Sequence, residues 1–143
     1  MPNNEKILSE NKLENFAKIA VEKYIYNFDN YKLDLAANEV LSQAINTNLY
    51  LNDNQPWLLI KEKDNLPLVK EIIYNVLEST RIIGLLLIPL LPELSTKINE
   101  QLGSVYREEI PWKQQLSWGL LVFNSSLPKP TTIINKLEYE QNL

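Results

Sequence analysis

Neither cysteine nor histidine occurs among the 143 residues. Their absence removes Cys/His zinc sites, thiol nucleophiles and imidazole acid–base chemistry together, which excludes much of catalysis, and no catalytic residue or metal ligand stands out among the rest. No disulfide framework can form, which is compatible with a reducing compartment, and a cytoplasmic location is expected. A bilayer-spanning run is also lacking. The longest apolar stretch, Ile82 to Leu91, is interrupted by Gly84 and Pro89 and is about half the length a membrane helix needs, so it reads as a buried helix end. The N-terminal residues are rich in Asn and Glu and carry no basic region followed by an apolar one, so they do not read as a signal peptide. An excess of positive charge is missing too. The net charge is −4, which argues against a general RNA-coating role that relies on neutralising phosphates. It argues less against reading a few unstacked bases by stacking and hydrogen bonds.

What is present is helical periodicity. At 143 residues and 45% hydrophobic content, the chain is long enough for one core and short for two, so 1–143 is expected to form one domain. Leu13, Phe16, Ala17, Ala20, Val21, Tyr24, Ile25 and Phe28 recur at three-four spacing, with Glu14, Lys18, Glu22 and Lys23 opposite, which predicts an amphipathic helix. A second stripe runs through Leu33, Ala36, Ala37, Val40, Leu41, Ala44, Ile45 and Asn48 to an Asn-rich stretch before Pro56, where the chain should turn and present Trp57. Asp64 or Asn65 is placed to cap a third helix, with Pro67 tolerated in its first turn. This helix becomes apolar on nearly every face past Arg81, as expected of a segment central to a bundle, and Pro89 and Pro92 stop or kink it. Pro92 to Leu102 predicts a fourth helix with Leu94, Ile98 and Leu102 inward and Gly103 in a left-handed position past its end. From Ser104 onward periodicity fades, so 104–143 is expected to be an irregular cover, with Trp112, Trp118 and Leu120 to Phe123 on the bundle and Leu127 to Pro130 as a stiff loop. The expected fold is all-α, a bundle of about four helices with an irregular C-terminal cover.

Trp57 is the foremost candidate for chemistry. Behind a proline, an indole at a helix exit offers a flat face on which an unstacked base can stack, typically contributing about 1–3 kcal/mol; an indole plugging the bundle end is the simpler reading of the pattern alone. Asn48 has an amide able to pair with base edges, but it falls on the apolar stripe, where an internal hydrogen bond is the alternative. Tyr50 has equal claims as a contact and as a ring packed in the core. Lys61 and Lys63, just past Trp57, are candidates for phosphate contacts, although surface lysines are common. Arg81 is expected to pair with Glu78 on its own helix rather than reach a phosphate. Glu108 and Glu109 are adjacent and point in different directions, so they read as a solvated face, not a carboxylate pair.

Asn48, Tyr50, Pro56 and Trp57, then Leu86, Leu87, Pro89 and Pro92, then Gln101-Leu-Gly103, in this order and spacing, resemble the C-terminal anticodon-binding domain of methionyl-tRNA synthetases, a class I family. Pro130 to Glu138 is similar to its closing segment, with Ile134 and Lys136 where Phe and Arg are more usual. The resemblance covers nearly the whole chain. It implies that Trp57, with Pro56, Asn48 and Tyr50 nearby, contacts the anticodon of methionine tRNA on behalf of a parent enzyme whose separate catalytic domain uses ATP. That domain's two signature motifs, one His-rich and one Lys-Met-Ser-Lys, are absent here, so this chain is not expected to aminoacylate or to hold a cofactor. The family also carries an Asn and an Arg one turn apart on an upstream helix, and no such pair occurs in the first thirty residues. Because Pro2 to Asn11 resembles the linker after that helix, the domain is expected to lack its first helix and to expose an apolar groove open to self-association or to docking on its missing portion, with the parent's catalytic domain as a further partner. A helical protein-interaction module with no RNA role is the alternative. The matching domain of a related synthetase for another aliphatic amino acid is disfavoured by the Asn48, Tyr50, Pro56-Trp57 series.

Overall fold

The computed structural model describes residues 12–103, 106–122 and 127–135. Pro2 to Asn11, Phe123 and Lys136 to Glu138, on which parts of the sequence reading rest, lie outside the described residues. The elements are α1 (Lys12–Asp29), α2 (Leu33–Asn54), α3 (Pro56–Leu59), α4 (Leu66–Leu87), α5 (Pro92–Gln101) and α6 (Trp112–Gln115), with one 3-10 turn at Lys63–Asn65. The all-α expectation holds. The four longer helices α1, α2, α4 and α5 form the bundle, and α3 and α6 are single turns.

The first helix buries Leu13, Ala17, Ala20 and Tyr24 as its spacing demands, while Phe16, expected on the same face, stays nearly half exposed. A short corner returns the chain into α2. There Lys32 N–H reaches the Asn27 carbonyl and Tyr31 N–H the Phe28 carbonyl, the bonding of a Schellman stop, with Tyr31 at φ 60° in the left-handed position that glycine usually fills.

The buried face of α2 differs from the expected stripe. Leu33, Leu41, Ile45 and Asn48 are exposed, and the face turned inward is Ala36, Val40, Gln43 and Thr47. The physical reason is a hydrogen-bonded contact with α4: Gln43 Nε2 donates to Ser79 Oγ at 2.7 Å, and the Thr47 and Ser79 hydroxyls share a 2.6 Å bond. Paired polar groups can be buried, and a hydropathy pattern does not report pairing.

Helix α4 is the central element. Residues 81–87 are all buried, as expected of a helix that becomes apolar on nearly every face past Arg81. Its last four carbonyls, which an α-helix leaves without regular partners, are met from other elements and the following turn, in addition to the 3.3 Å bond from the Ile88 amide to Leu85 O. Ser95 Oγ on α5 donates to Gly84 O at 2.6 Å, Trp112 Nε1 on α6 to Leu85 O at 2.9 Å, and Tyr24 on α1 to Leu86 O at 2.8 Å. The Leu90 and Leu91 amides close on Leu87 O. Gly84 also allows α5 to approach, since a Cβ there would stand 3.0 Å from Ile98 Cγ2. At the other end Asn65 occupies the N-cap position of α4 but makes no side-chain cap bond; its amide turns instead to Leu59 O and Glu62. The expected Asp64 or Asn65 side-chain cap is not formed.

In α5, Leu102 is buried and Leu94 and Ile98 partly so, joined by buried Ser95 and Asn99, and Gly103 takes φ 62°. Beyond it, the cover is tied down by an ion pair inside the protein. Arg81 pairs with Glu78 through Nε and a terminal nitrogen at 2.9 and 2.7 Å, and donates onward to the Gln115 and Ser117 carbonyls. The Glu78 carboxylate in turn accepts the amides of Gly119, Leu120 and Leu121. The cover includes the short helix α6, and no strand is found among the described residues.

Candidate nucleic-acid interface

The end of α2 builds the corner that carries Trp57. Asn54 donates its side-chain amide back to Tyr50 O at 2.7 Å, closing the last turn, and Gln55 then enters the left-handed region at φ 44°, ψ 58°. Its carbonyl accepts the Leu58 and Leu59 amides, so the same residue stops α2 and starts α3. Pro56 is buried at the first position of α3, where its missing N–H costs nothing. With Pro56 anchored inward, Trp57 is turned outward and is 50% exposed. Leu58 and Ile60 beside it are also exposed.

The remaining sequence candidates divide by where they point. Lys61 and Lys63 are exposed on the turn that follows α3, in the same loop as Trp57. They alternate with Glu62 and Asp64, so the loop has no net positive field. Tyr50 is half-buried and faces α4, its hydroxyl accepting a 3.0 Å bond from Asn75 Nδ2. Burial pushes its pKa up; the Asn75 bond opposes the shift and Glu71 adds to it. Asn48, two residues earlier and so about 200° around the helix, lies on the solvent face with its amide open. The structure therefore places Trp57, Pro56, Lys61 and Lys63 along one short segment, turns Tyr50 toward α4, and leaves Asn48 about 9 Å back along the α2 axis from the helix end.

Asn54 and Asn75 were not singled out in the sequence. The first stands in a polar stretch where an i−4 side-chain bond has no signature, and the second interrupts an apolar stripe. Arg81 is committed to Glu78 and the cover and is buried, which removes it from solvent. Glu108 and Glu109 are exposed. Among the described residues no group of three or more acidic side chains could hold a metal ion, and no helix is long and apolar enough to cross a membrane.

A family model described as the anticodon binding domain of methionyl tRNA ligase matches residues 2–142. The chain belongs to this family. A methionine–tRNA ligase of Nostoc is 30% identical over 145 aligned positions that include 98% of this chain and 27% of the relative. One from Synechocystis is 39% identical over 101 residues, 64% of this chain and 19% of the relative. In three dimensions the methionyl-tRNA synthetase of Mycobacterium tuberculosis, in its ligand-free form, superposes with a TM-score of 0.79 at 25% identity, over 89% of this chain and 25% of that one. The anticodon-binding domain described here thus spans about a quarter of the length of such relatives, and the outward Trp57 lies at the end of a helix within the matched region.

Proposed function

We propose that this domain recognises the anticodon of methionine tRNA as part of a methionine–tRNA ligase, with Trp57 as the stacking platform. The observation that carries this reading is the geometry of the α2–α3 corner: a half-exposed indole directly after a buried proline. The domain has too little positive charge to hold RNA by phosphates alone, so recognition rests on the flat indole and on amides such as Asn48, with Lys61 and Lys63 steadying the backbone. ATP and methionine belong to a catalytic domain elsewhere in the ligase, which works in the cytoplasm. Docking the anticodon here orients the distant acceptor end toward that domain.

The test is binding of a fluorescent methionine-tRNA anticodon stem-loop, wild type against Trp57→Ala, with a changed anticodon as control and circular dichroism to confirm folding. A loss of about tenfold or more in the folded variant, confined to the matching anticodon, is expected. Binding that ignores both the substitution and the anticodon would sink the reading.

A protein-docking role is favoured by a separate observation. A groove of about 720 Å³ lies between α2, α4, α5 and the C-terminal segment that carries Ile133 and Ile134, with Val40, Leu41, Leu87 and Leu94 on its helical walls. Self-association through this groove predicts dimers whose population rises with concentration in analytical ultracentrifugation and falls on Leu41→Lys.

A further inference from the structure

The contact between α2 and α4 changes character toward the Trp57 end. Ile82, Ile83 and Leu86 lie in the core of the bundle, but moving back along α4 the residues turned to α2 become Ser79 and then Asn75, both buried. They meet Gln43, Thr47 and Tyr50, which follow one another at four- and three-residue spacing along one face of α2. Three cross-helix hydrogen bonds result: Gln43 to Ser79 at 2.7 Å, Thr47 to Ser79 at 2.6 Å and Asn75 to Tyr50 at 3.0 Å.

Stability alone does not account for this seam. Gln43 is fully buried, and its Oε1 has no hydrogen-bond partner, a loss that an apolar residue of similar volume would avoid. What a polar seam gains over an apolar one is register. Leu and Ile side chains tolerate a helix sliding by a fraction of a turn, whereas a hydrogen bond weakens steeply with misplaced distance and angle. Asn75 to Tyr50 is the last rung before the helix ends at Asn54, and Asn54 is itself bonded to the Tyr50 carbonyl. From there the chain runs through the Gln55 corner directly to Trp57.

We propose that Asn75 is a positioning residue for base recognition: by holding the Tyr50 hydroxyl it fixes the terminal turn of α2 against α4, and so fixes where Trp57 presents its indole. This inference rests on the anticodon-reading role of Trp57 given above. Asn75 touches no RNA in this scheme. Its effect passes through Tyr50, the Asn54 bond and the Gln55 corner.

The test has two arms that fail separately. In the free protein, the Trp57 indole N–H resonance, assigned by its loss in Trp57→Phe, should shift in both Asn75→Ala and Tyr50→Phe, with the Trp112 and Trp118 indole resonances held in place as internal controls. In the second arm, each variant should weaken binding of the matching anticodon stem-loop by about five- to tenfold, and the double variant should bind no worse than the weaker single one, because both break the same rung. Circular dichroism should show unchanged helix content. A Trp57 resonance unmoved in both variants overturns the positioning role whatever the RNA does, and so do losses that add in the double variant. A shifted resonance in a protein whose wild type ignores the anticodon upholds the positioning of Trp57 and overturns the RNA reading instead.

Discussion

The Tyr24 hydroxyl on α1 donates to the Leu86 carbonyl in the last turn of α4 at 2.8 Å, with the tyrosine ring fully buried between Phe28 and Trp112. One hydrogen bond therefore joins the first helix to the end of the central one, where that end has no helical partner to offer. Burial pushes the Tyr24 pKa up from 10.0 to about 12. The folded protein keeps this proton over a range in which the unfolded chain releases it, so the stability it contributes is complete below pH 10 and is lost as pH rises through about 12. The loss is on the order of 2 kcal/mol. Urea unfolding of wild type and Tyr24→Phe between pH 8 and about pH 12 should show a steeper decline in the wild type. Equal slopes would mean that Tyr24 is not held neutral by its site.

Glu78 accepts five hydrogen bonds, two from Arg81 and three from the backbone of the cover. An isolated buried ion pair can often be replaced by apolar residues at little cost, but here the carboxylate also serves the amides of residues 119–121. Glu78→Gln keeps the size, halves the accepting oxygens and turns an amide toward donors. It should cost about 3–5 kcal/mol and speed hydrogen exchange at Leu121 well beyond that at Ile72. Exchange that accelerates equally at both sites would indicate global loss rather than release of the cover.

Tyr31 occupies a left-handed position with its side chain 93% exposed. Its ring gains almost nothing by burial, while its Cβ strains the turn by about 1–2 kcal/mol. Tyr31→Gly removes that strain and returns part of the gain through a more flexible unfolded chain. A net stabilisation of about 0.5–1 kcal/mol, roughly two to four degrees in Tm, is expected by calorimetry. A destabilised Tyr31→Gly would show that the ring makes contacts its exposure denies.

How far the sequence discloses this domain depends on which kind of contact holds each part. Helices α1, α4 and α5 are legible because apolar side chains at three-four spacing face the core, and Gly103 marks a stop that only a left-handed residue makes. The inward face of α2 is not legible: Gln43 and Thr47 are buried by pairing with Ser79, and Leu41 and Ile45, which look like core, stand in solvent. The same blindness hides Asn75. At the candidate site, the Pro56-Trp57 pattern alone favours an indole plugging the bundle end and only the family resemblance favours an outward one; Trp57 is found half-exposed. Asn48 illustrates the reverse, an amide assigned to an apolar stripe that the true helix face turns outward. The Arg81–Glu78 pair is visible from its spacing, but its hold on residues 115–121 joins positions more than thirty apart, which no local pattern records.

Lys61 and Lys63 are exposed in the Trp57 loop but alternate with Glu62 and Asp64, and this arrangement sets what each lysine can contribute. A lysine that neutralises a phosphate releases a counterion, so Lys61→Ala or Lys63→Ala should each flatten the plot of log affinity against log salt by about 0.7 on a single-stranded loop. Such a change weakens all anticodon sequences alike. Trp57→Ala removes stacking without removing charge, so affinity should drop with the salt slope unchanged. Affinities for matching and changed anticodon loops from about 50 to 200 mM salt separate the two roles. Slopes identical in wild type and both lysine variants would remove Lys61 and Lys63 from the proposed interface and leave the indole and the neighbouring amides as its remaining candidates. The opposite pattern, a slope that falls with Trp57→Ala, would mean that the indole orders the loop on which the lysines stand.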